Sequence, residues 1–216
     1  MSPERPEPPR PVLADMKALI TGIANEHTIA YGCAKAFRGL GADLAITLDI
    51  LLHSLAWAPK DDLHAGLLPW SSVGFARAMD ISCPSFVRMV ALAAPLVDQG
   101  GTLLTMSYYG ANKVVPNYSV MGPVKAAFEA CTRYLAYELG PKGTRVHAIS
   151  PGRSRRRRPP ASRTSTCSST RPPRAPLAEL VDIMDVGYTC EFLATPYARR
   201  VSGETLYVDG GVNIMA

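Results

Sequence analysis

The chain has 216 residues, of which 47% are hydrophobic and 19% charged, which excludes a disordered protein and predicts one packed domain over residues 1–216. Residues 153–173 hold seven arginines and no acidic residue, so the net charge of +5 becomes −2 over the rest of the chain. The positive charge is therefore local, and we expect no nucleic-acid partner.

Proline and charged residues fill the N-terminal segment, which we predict to be a flexible tail over residues 1–15. No uncharged apolar run is long enough to cross a membrane, so we expect a cytoplasmic protein without membrane insertion. The five cysteines lie far apart and have no histidines at metal-ligand spacing, so we expect core packing and no metal site.

The first part of the chain has the order strand, loop, helix, strand. Residues 17–21 are an apolar run, residues 29–37 have helical spacing, and residues 43–47 are typical of a second buried strand. Another apolar strand follows at once, over residues 49–54. Because parallel strands need a crossover of about a dozen residues or more, we predict that part of the chain has been lost near Leu48.

Strand and helix patterns alternate through the rest of the chain. The predicted helices are at residues 71–96, 119–139 and 177–194, and the predicted strands at residues 102–106, 145–149 and 204–208. Between them, we predict that the arginine-, proline- and serine-rich residues 153–173 are disordered. The alternation predicts an α/β fold, a Rossmann-like doubly wound parallel sheet that is incomplete near Leu48.

The most informative segment is residues 107–125, in which six residues separate Tyr118 from Lys125. A tyrosine that shares a proton at neutral pH benefits from a nearby positive charge, because that charge stabilises the phenolate. We predict that the two residues lie on one helix, two turns apart on the same face, with space for a cofactor ribose between them.

This segment resembles the bacterial NADH-dependent enoyl-acyl-carrier-protein reductases, short-chain dehydrogenases with this longer Tyr–Lys spacing. The resemblance implies reduction by NADH of the trans-2 double bond of enoyl-acyl carrier protein in fatty-acid synthesis, and a homo-oligomer, the tetramer of the family. It also implies catalytic roles. Tyr118 would hydrogen-bond the thioester carbonyl as negative charge develops, Lys125 would hold the nicotinamide ribose, and Tyr108 would line the substrate pocket.

The first loop supports the same resemblance. It follows a strand and opens a helix, where unpaired N–H groups and the helix dipole favour a pyrophosphate. A glycine followed after five residues by a hydroxyl residue, isoleucine and alanine matches the family's loop, and a later Ser-Leu-Ala stretch matches the one beside its cofactor. The residues expected to bind NADH are Gly22, Thr28, Ile29, Ser54, Leu55, Ala56 and Lys125. We expect His53 to be a packing residue.

Two stretches depart from the family's pattern. Family members have about 30 to 50 more residues before the His-Ser segment, enough for a helix, a strand and another helix. After Gly152, residues 153–173 replace the loop and helix that cover the substrate. Shifting a hypothetical GC-rich coding sequence by one base restores a family-like amphipathic segment there, so we predict that residues 153–173 are out of frame, which the nucleotide sequence would test.

Three other interpretations stay open on the sequence alone. The chain could be an impaired or inactive remnant of the family, which a failure to bind NADH would favour. It could be a short-chain dehydrogenase acting on another carbonyl substrate, although the six-residue Tyr–Lys spacing argues against this. The arginine-rich residues 153–173 could form a nucleic-acid-binding segment, but no aromatic residue interleaves with the arginines.

Overall fold

The computed structural model describes residues 12–22, 27–41, 48–97, 100–152 and 175–215. Five strands in these residues form one parallel sheet, in the order β1-β2-β3-β4-β5. The strands are β1 (Ala18–Thr21), β2 (Ile50–His53), β3 (Thr102–Met106), β4 (Arg145–Pro151) and β5 (Thr205–Val208). Every residue of β2 and β3 is buried, which explains their nearly continuous apolar sequences, since helices cover both faces of the sheet.

The helices divide between the two faces of the sheet. They are α1 (Ile29–Gly39), α2 (Lys60–His64), α3 (Ser72–Ala93), α4 (Met121–Leu139) and α5 (Ile183–Ala194). On one face, α1 and α5 pack around Phe37 and Leu193; on the other, α3 and α4 pack around Phe86 and Phe128. The predicted doubly wound parallel sheet is therefore confirmed.

The strands on either side of the predicted chain loss are direct neighbours. Strand β1 pairs with β2 from Ala18 opposite Ile50 to Thr21 opposite His53, and β1 is the outermost strand of the described sheet. The strand predicted over residues 43–47 lies outside the described residues, as does the arginine-rich stretch at residues 153–173.

Helices α1 and α5 approach each other closely because each has a glycine at the contact. A Cβ atom added to Gly187 would lie 2.8 Å from the carbonyl oxygen of Gly32, and one added to Gly32 would collide with the backbone of Ile183. Helices α1 and α5 therefore form one closely packed layer on this face of the sheet.

Two predictions of element boundaries are wrong. The tail predicted over residues 1–15 is packed at its end, because Leu13 is fully buried and donates its backbone N–H to Leu40. The helix predicted from residue 177 begins only at Ile183, where Asp182 and Asp185 form a reciprocal capping box. The short helix α2 was not predicted.

One stretch, Ser72–Leu96, is long and apolar enough to cross a membrane by length and composition. It consists of α3 and the turn that follows, and Phe86 and Val90 on its inner face are buried against the sheet and α4. Only 28% of its apolar window is buried, so α3 packs against the sheet and α4 along one face.

Candidate active site

The residues predicted to act together come from the carboxyl ends of parallel strands. Gly22 follows β1, Ser54 follows β2, and Ser107 and Tyr108 follow β3. Because neighbouring parallel strands end at the same edge of the sheet, this arrangement brings these residues to one side of the molecule. Ligands of open α/β sheets bind at this edge.

Gly22 lies directly against the backbone of Ser54. Its φ angle of +91° is in the left-handed region, and an added Cβ atom would overlap the carbonyl group of Ser54. Only glycine fits this position without strain. Ser54 is half-buried, while Leu55 and Ala56 are exposed after it, so the ends of β1 and β2 form a shallow backbone cradle.

The N-terminus of α1 follows the same loop. Thr28 is the N-cap, and its side-chain oxygen accepts a hydrogen bond from the backbone N–H of Tyr31 at 3.3 Å. Ile29 is the first residue of the helix and is half-buried. The cap positions the first turn of α1, whose N–H groups offer partial positive charge to an anion.

Tyr108 and Tyr118 meet edge to face, with their ring centroids 4.9 Å apart. Gly110 makes this contact possible, since a Cβ atom there would lie 2.9 Å from the ring of Tyr118 and 3.3 Å from that of Tyr108. Burial raises the pKa of Tyr118 above its usual range. Tyr118 is therefore a neutral phenol at physiological pH, able to donate a hydrogen bond.

The prediction that Tyr118 and Lys125 share one helix is wrong. Tyr118 lies in the turn before α4, which begins at Met121, and its carbonyl accepts a hydrogen bond from the N–H of Gly122. The preceding residue, Asn117, has a φ angle of 62°, which interrupts any helical continuation toward the N-terminus.

Lys125 is buried in the first turns of α4, and its ammonium group is already bonded. Nζ donates to the carbonyl oxygen of Met106 at 2.6 Å and lies 4.6 Å from the centre of the Phe128 ring. Burial lowers the pKa of Lys125 to about 8, although Cys83 and Glu129 act in the opposite direction. The expected stabilisation of a Tyr118 phenolate by Lys125 is thus not what this arrangement produces.

His53 has the packing role expected of it. Its ring is fully buried between Phe86 and Phe128, with Nδ1 3.3 Å from the Thr105 hydroxyl and Nε2 2.8 Å from the Ser85 hydroxyl. Burial, followed by the charge of Lys125, lowers the pKa of His53 to about 4. A neutral histidine bonded in this way cannot act as a base on a ligand.

Three polar residues near the tyrosines were missed by the sequence analysis. The buried carboxylate of Glu129 accepts hydrogen bonds from the Ser107 hydroxyl at 2.7 Å and from the Asn112 side-chain amide at 2.9 Å. The sequence does contain a signal, because Glu129 follows Lys125 by four residues and therefore shares its helix face.

A largely apolar cavity of about 580 Å³ adjoins Tyr118. Residues 110–119 form one wall, and the others come from Gly66, Leu67 and one side of α4 at Pro123 and Ala126. Tyr108 and Lys125 do not line it. Its size falls in the range that binds small organic ligands.

Comparison with known proteins gives one consistent family. Residues 46–213 match a family model described as Enoyl-(Acyl carrier protein) reductase. The NADH-dependent enoyl-acyl-carrier-protein reductase of Aquifex aeolicus is 36% identical over 259 residues, which cover 94% of this chain and 93% of the relative. The Escherichia coli protein of the same name is 33% identical, covering 94% and 96% respectively.

Solved structures of such proteins also resemble this chain. The reductase of Anaplasma phagocytophilum, crystallised in complex with NAD, has a TM-score of 0.86 at 30% identity and covers 96% of this chain and 97% of its own. The Aquifex aeolicus structure has a TM-score of 0.83 at 35% identity, covering 95% and 99%. These likenesses confirm the resemblance drawn from residues 107–125.

The length of the alignment also bears on the predicted chain loss. The Aquifex aeolicus alignment spans 259 positions, whereas this chain has 216 residues, so at least 43 positions of the alignment have no residue of this chain. Because 94% of the chain is aligned, the number is about 56, somewhat more than the roughly 30 to 50 residues expected for the missing segment alone.

Proposed function

This chain belongs to the enoyl-(acyl carrier protein) reductase family, and we propose that it reduces the trans-2 double bond of enoyl thioesters carried by acyl carrier protein, with NADH as the reductant. The observation that carries this proposal is the contact between Tyr108 and Tyr118, with the buried Lys125 nearby in α4. Such an arrangement offers a hydroxyl donor to a carbonyl oxygen that becomes negatively charged.

We assign Tyr118 to the thioester carbonyl. Because burial keeps its phenol neutral, Tyr118 can donate a hydrogen bond whose strength increases as the oxygen gains charge. Tyr108 holds the Tyr118 ring by its edge-to-face contact. NADH, when bound, supplies the hydride that adds to the β-carbon.

We assign the phosphate and ribose portions of NADH to residues at the ends of β1 and β2 and in the first turns of α1 and α4. Gly22 packs against the Ser54 backbone and has no side chain to block this strand end, so a diphosphate can approach the backbone closely. Thr28 and Ile29 begin α1 beside it, and Leu55 and Ala56 continue from Ser54. Lys125, protonated below pH about 8, is the donor assigned to the ribose hydroxyls.

The substrate's hydrocarbon portion would require apolar surface near Tyr118. The cavity of about 580 Å³ provides such a surface, since Leu67, Val115 and Ala126 are among its lining residues. This neighbourhood supports an acyl thioester over a small, fully polar carbonyl substrate.

We further propose that the chain acts in the cytoplasm as a homo-oligomer. Large side chains are exposed on the outer faces of α3 and α4, with Leu92 78%, Tyr134 71% and Tyr137 83% exposed. Apolar surface of this kind is typical of protein interfaces. Light scattering on the purified protein measures the assembly state, and a strictly monomeric mass would refute the proposal.

The test of the catalytic proposal is oxidation of NADH in the presence of a crotonyl thioester. Wild type is expected to consume NADH only when the thioester is present, and Tyr118→Phe to lose about 100-fold or more of kcat, as when one oxyanion donor is removed. Tyr197→Phe, a change at a 78% exposed ring outside the site, is the matched control. Equal rates in wild type and Tyr118→Phe would refute the assignment.

One finding favours a second candidate function, a non-catalytic member of the family. At least 43 alignment positions of an NADH-dependent relative lack a counterpart in this chain, so part of what the relative uses is missing here. Titration of protein fluorescence with NADH separates the two candidates. Absence of binding at millimolar NADH would support the non-catalytic candidate and refute the reductase.

A further inference from the structure

The carboxylate of Glu129 holds both ends of the segment that carries Tyr108. Ser107 begins this segment at the end of β3 and donates its hydroxyl to Oε1 of Glu129 at 2.7 Å. Asn112 follows the Tyr109–Ala111 turn and donates its amide to Oε2 at 2.9 Å. Each oxygen of one buried carboxylate therefore fixes one end of residues 107–112.

The held segment contains the groups that set the tyrosine pair. Tyr108 is its second residue, in an extended backbone conformation, and Gly110 lies against the rings of both Tyr108 and Tyr118. A displacement of either end of the segment would move the Tyr108 ring relative to that of Tyr118, since the rings touch at 4.9 Å.

Lys125 lies one helical turn before Glu129 and holds the adjacent residue of the same strand end. Its Nζ donates to the carbonyl of Met106, while Glu129 accepts from the side chain of Ser107. Two consecutive turns of α4 thus hold Met106, the last residue of β3, and Ser107, which follows it. The Asn112 amide also donates to the hydroxyl of Tyr207 on β5 at 3.0 Å, so the segment is bonded to β5 as well as to α4.

We propose that Glu129 is a positioning residue for the tyrosine pair, acting by clamping residues 107–112 through its two carboxylate oxygens. This inference rests on the proposed reductase function for its kinetic readout. The role is geometric: Glu129 touches neither Tyr108 nor Tyr118 through its hydrogen bonds, and its effect reaches them through the backbone of the segment it holds.

Two substitutions separate the clamp from the charge of Glu129. Glu129→Met removes both carboxylate acceptors at similar volume, so Ser107 and Asn112 lose their bonds to α4, while Asn112 keeps its bond to the Tyr207 hydroxyl. In Glu129→Gln, the side-chain oxygen of the glutamine still accepts a hydrogen bond from the Ser107 hydroxyl. If the Asn112 amide rotates by 180°, its oxygen can accept hydrogen bonds from the glutamine NH2 group and from the Tyr207 hydroxyl. Glutamine therefore preserves the clamp without the negative charge. Glu138→Met, at an exposed position of α4, is the matched control.

The expected result is a kcat for crotonyl thioester reduction that falls about 10- to 100-fold in Glu129→Met, because small misplacements of reacting groups have effects of this size. Glu129→Gln should keep kcat within about threefold of wild type, as Glu138→Met should. An unchanged kcat in Glu129→Met would overturn the proposal. A loss in Glu129→Gln equal to that in Glu129→Met would also overturn it, because charge and not the clamp would then matter.

Amide hydrogen exchange over residues 107–118 supplies a readout independent of activity. Exchange is expected to be faster in Glu129→Met than in Glu138→Met, and equal exchange would refute the clamp. If wild type does not reduce crotonyl thioesters, the proposed function fails while this readout still decides the clamp. If Glu129→Met does not fold, Asn112→Ala at its exposed position removes one end of the clamp and should give the same faster exchange.

Discussion

The catalytic and cofactor ends of the proposed site are held by different kinds of contact. The catalytic end, which includes Tyr108, Tyr118 and Lys125, lies within the continuous described residues 100–152 and is held by buried side-chain hydrogen bonds. The cofactor end depends on backbone contacts between β1 and the end of β2, which lie on opposite sides of the predicted chain loss. A loss of chain near Leu48 therefore leaves the catalytic end intact. The cofactor end then depends on a small number of contacts.

The largest effect should come from breaking the cofactor end at Gly22. Gly22→Ala adds a Cβ atom that overlaps the Ser54 backbone at a φ angle of +91°, so NADH affinity should fall about 100-fold. Fluorescence titration with NADH measures it. Gly39→Ala is the matched control, because an added Cβ there meets no atom within 4 Å. Similar affinities in the two variants would show that this contact does not form the cradle.

Acid should destabilise the sheet that joins the two ends. Burial lowers the pKa of His147 to about 4, so the unfolded chain binds a proton that the folded chain does not, between about pH 6.5 and 4. Stability is present above this window and is lost as the pH falls through it. His147 should account for about 2 kcal/mol of loss between pH 7 and 5.

Urea unfolding followed by the fluorescence of Trp57 and Trp70 measures this loss from the other side of the sheet. His147→Leu should reduce the difference between pH 7 and 5, whereas His64→Leu on the exposed end of α2 should not. A tryptophan signal insensitive to His147→Leu would mean that the two sides of the sheet unfold separately.

The catalytic end should impose a pH limit on cofactor binding through Lys125. Its pKa of about 8 means that the ammonium is lost above this pH, so the KM for NADH should rise about fivefold between pH 8 and 9. Steady-state kinetics across this range measure the rise. Lys142→Met, in the exposed turn after α4, should leave the profile unchanged. A flat KM would remove Lys125 from the ribose contact.

The smallest effect should come from the N-cap of α1 at the cofactor end. Thr28→Ala removes the hydrogen bond to the Tyr31 N–H and should lower the free energy of unfolding by about 1 kcal/mol. Thr28→Ser keeps the oxygen and should stay close to wild type. Urea denaturation distinguishes them, and an unchanged stability in Thr28→Ala would show that the cap contributes little.

The sequence predicted the central strands well because burial on both faces leaves a clear apolar pattern. Strand β3 was predicted at its observed bounds, residues 102–106, and α4 within two residues of its start. The start of α5 was missed because the capping box of Asp182 and Asp185 lies within a segment that also has helical spacing. Local hydrogen bonds, not periodicity, determine where that helix begins.

The site residues were predicted by type and spacing, while their bonds were not. The positive φ of Asn117 removes Tyr118 from α4, although the spacing to Lys125 suits a continuous helix. Lys125 bonds a backbone carbonyl, that of Met106, which carries no signature in the sequence. Glu129 was overlooked because its partners, Ser107 and Asn112, are 22 and 17 residues away.

The C-terminal turn at Asp209 and Gly210 anchors the chain on both sides of residues 153–174. Gly152 donates its N–H to the Val208 carbonyl, and Leu177 donates to that of Gly210, so the two flanks meet at one turn. For a chain segment whose ends are held together, the entropic cost of closure rises by only about 0.6 kcal/mol for each doubling of its length. We therefore expect the sheet to tolerate changes in the number of residues between Gly152 and Leu177, because the hydrogen bonds that join these flanks lie outside that stretch.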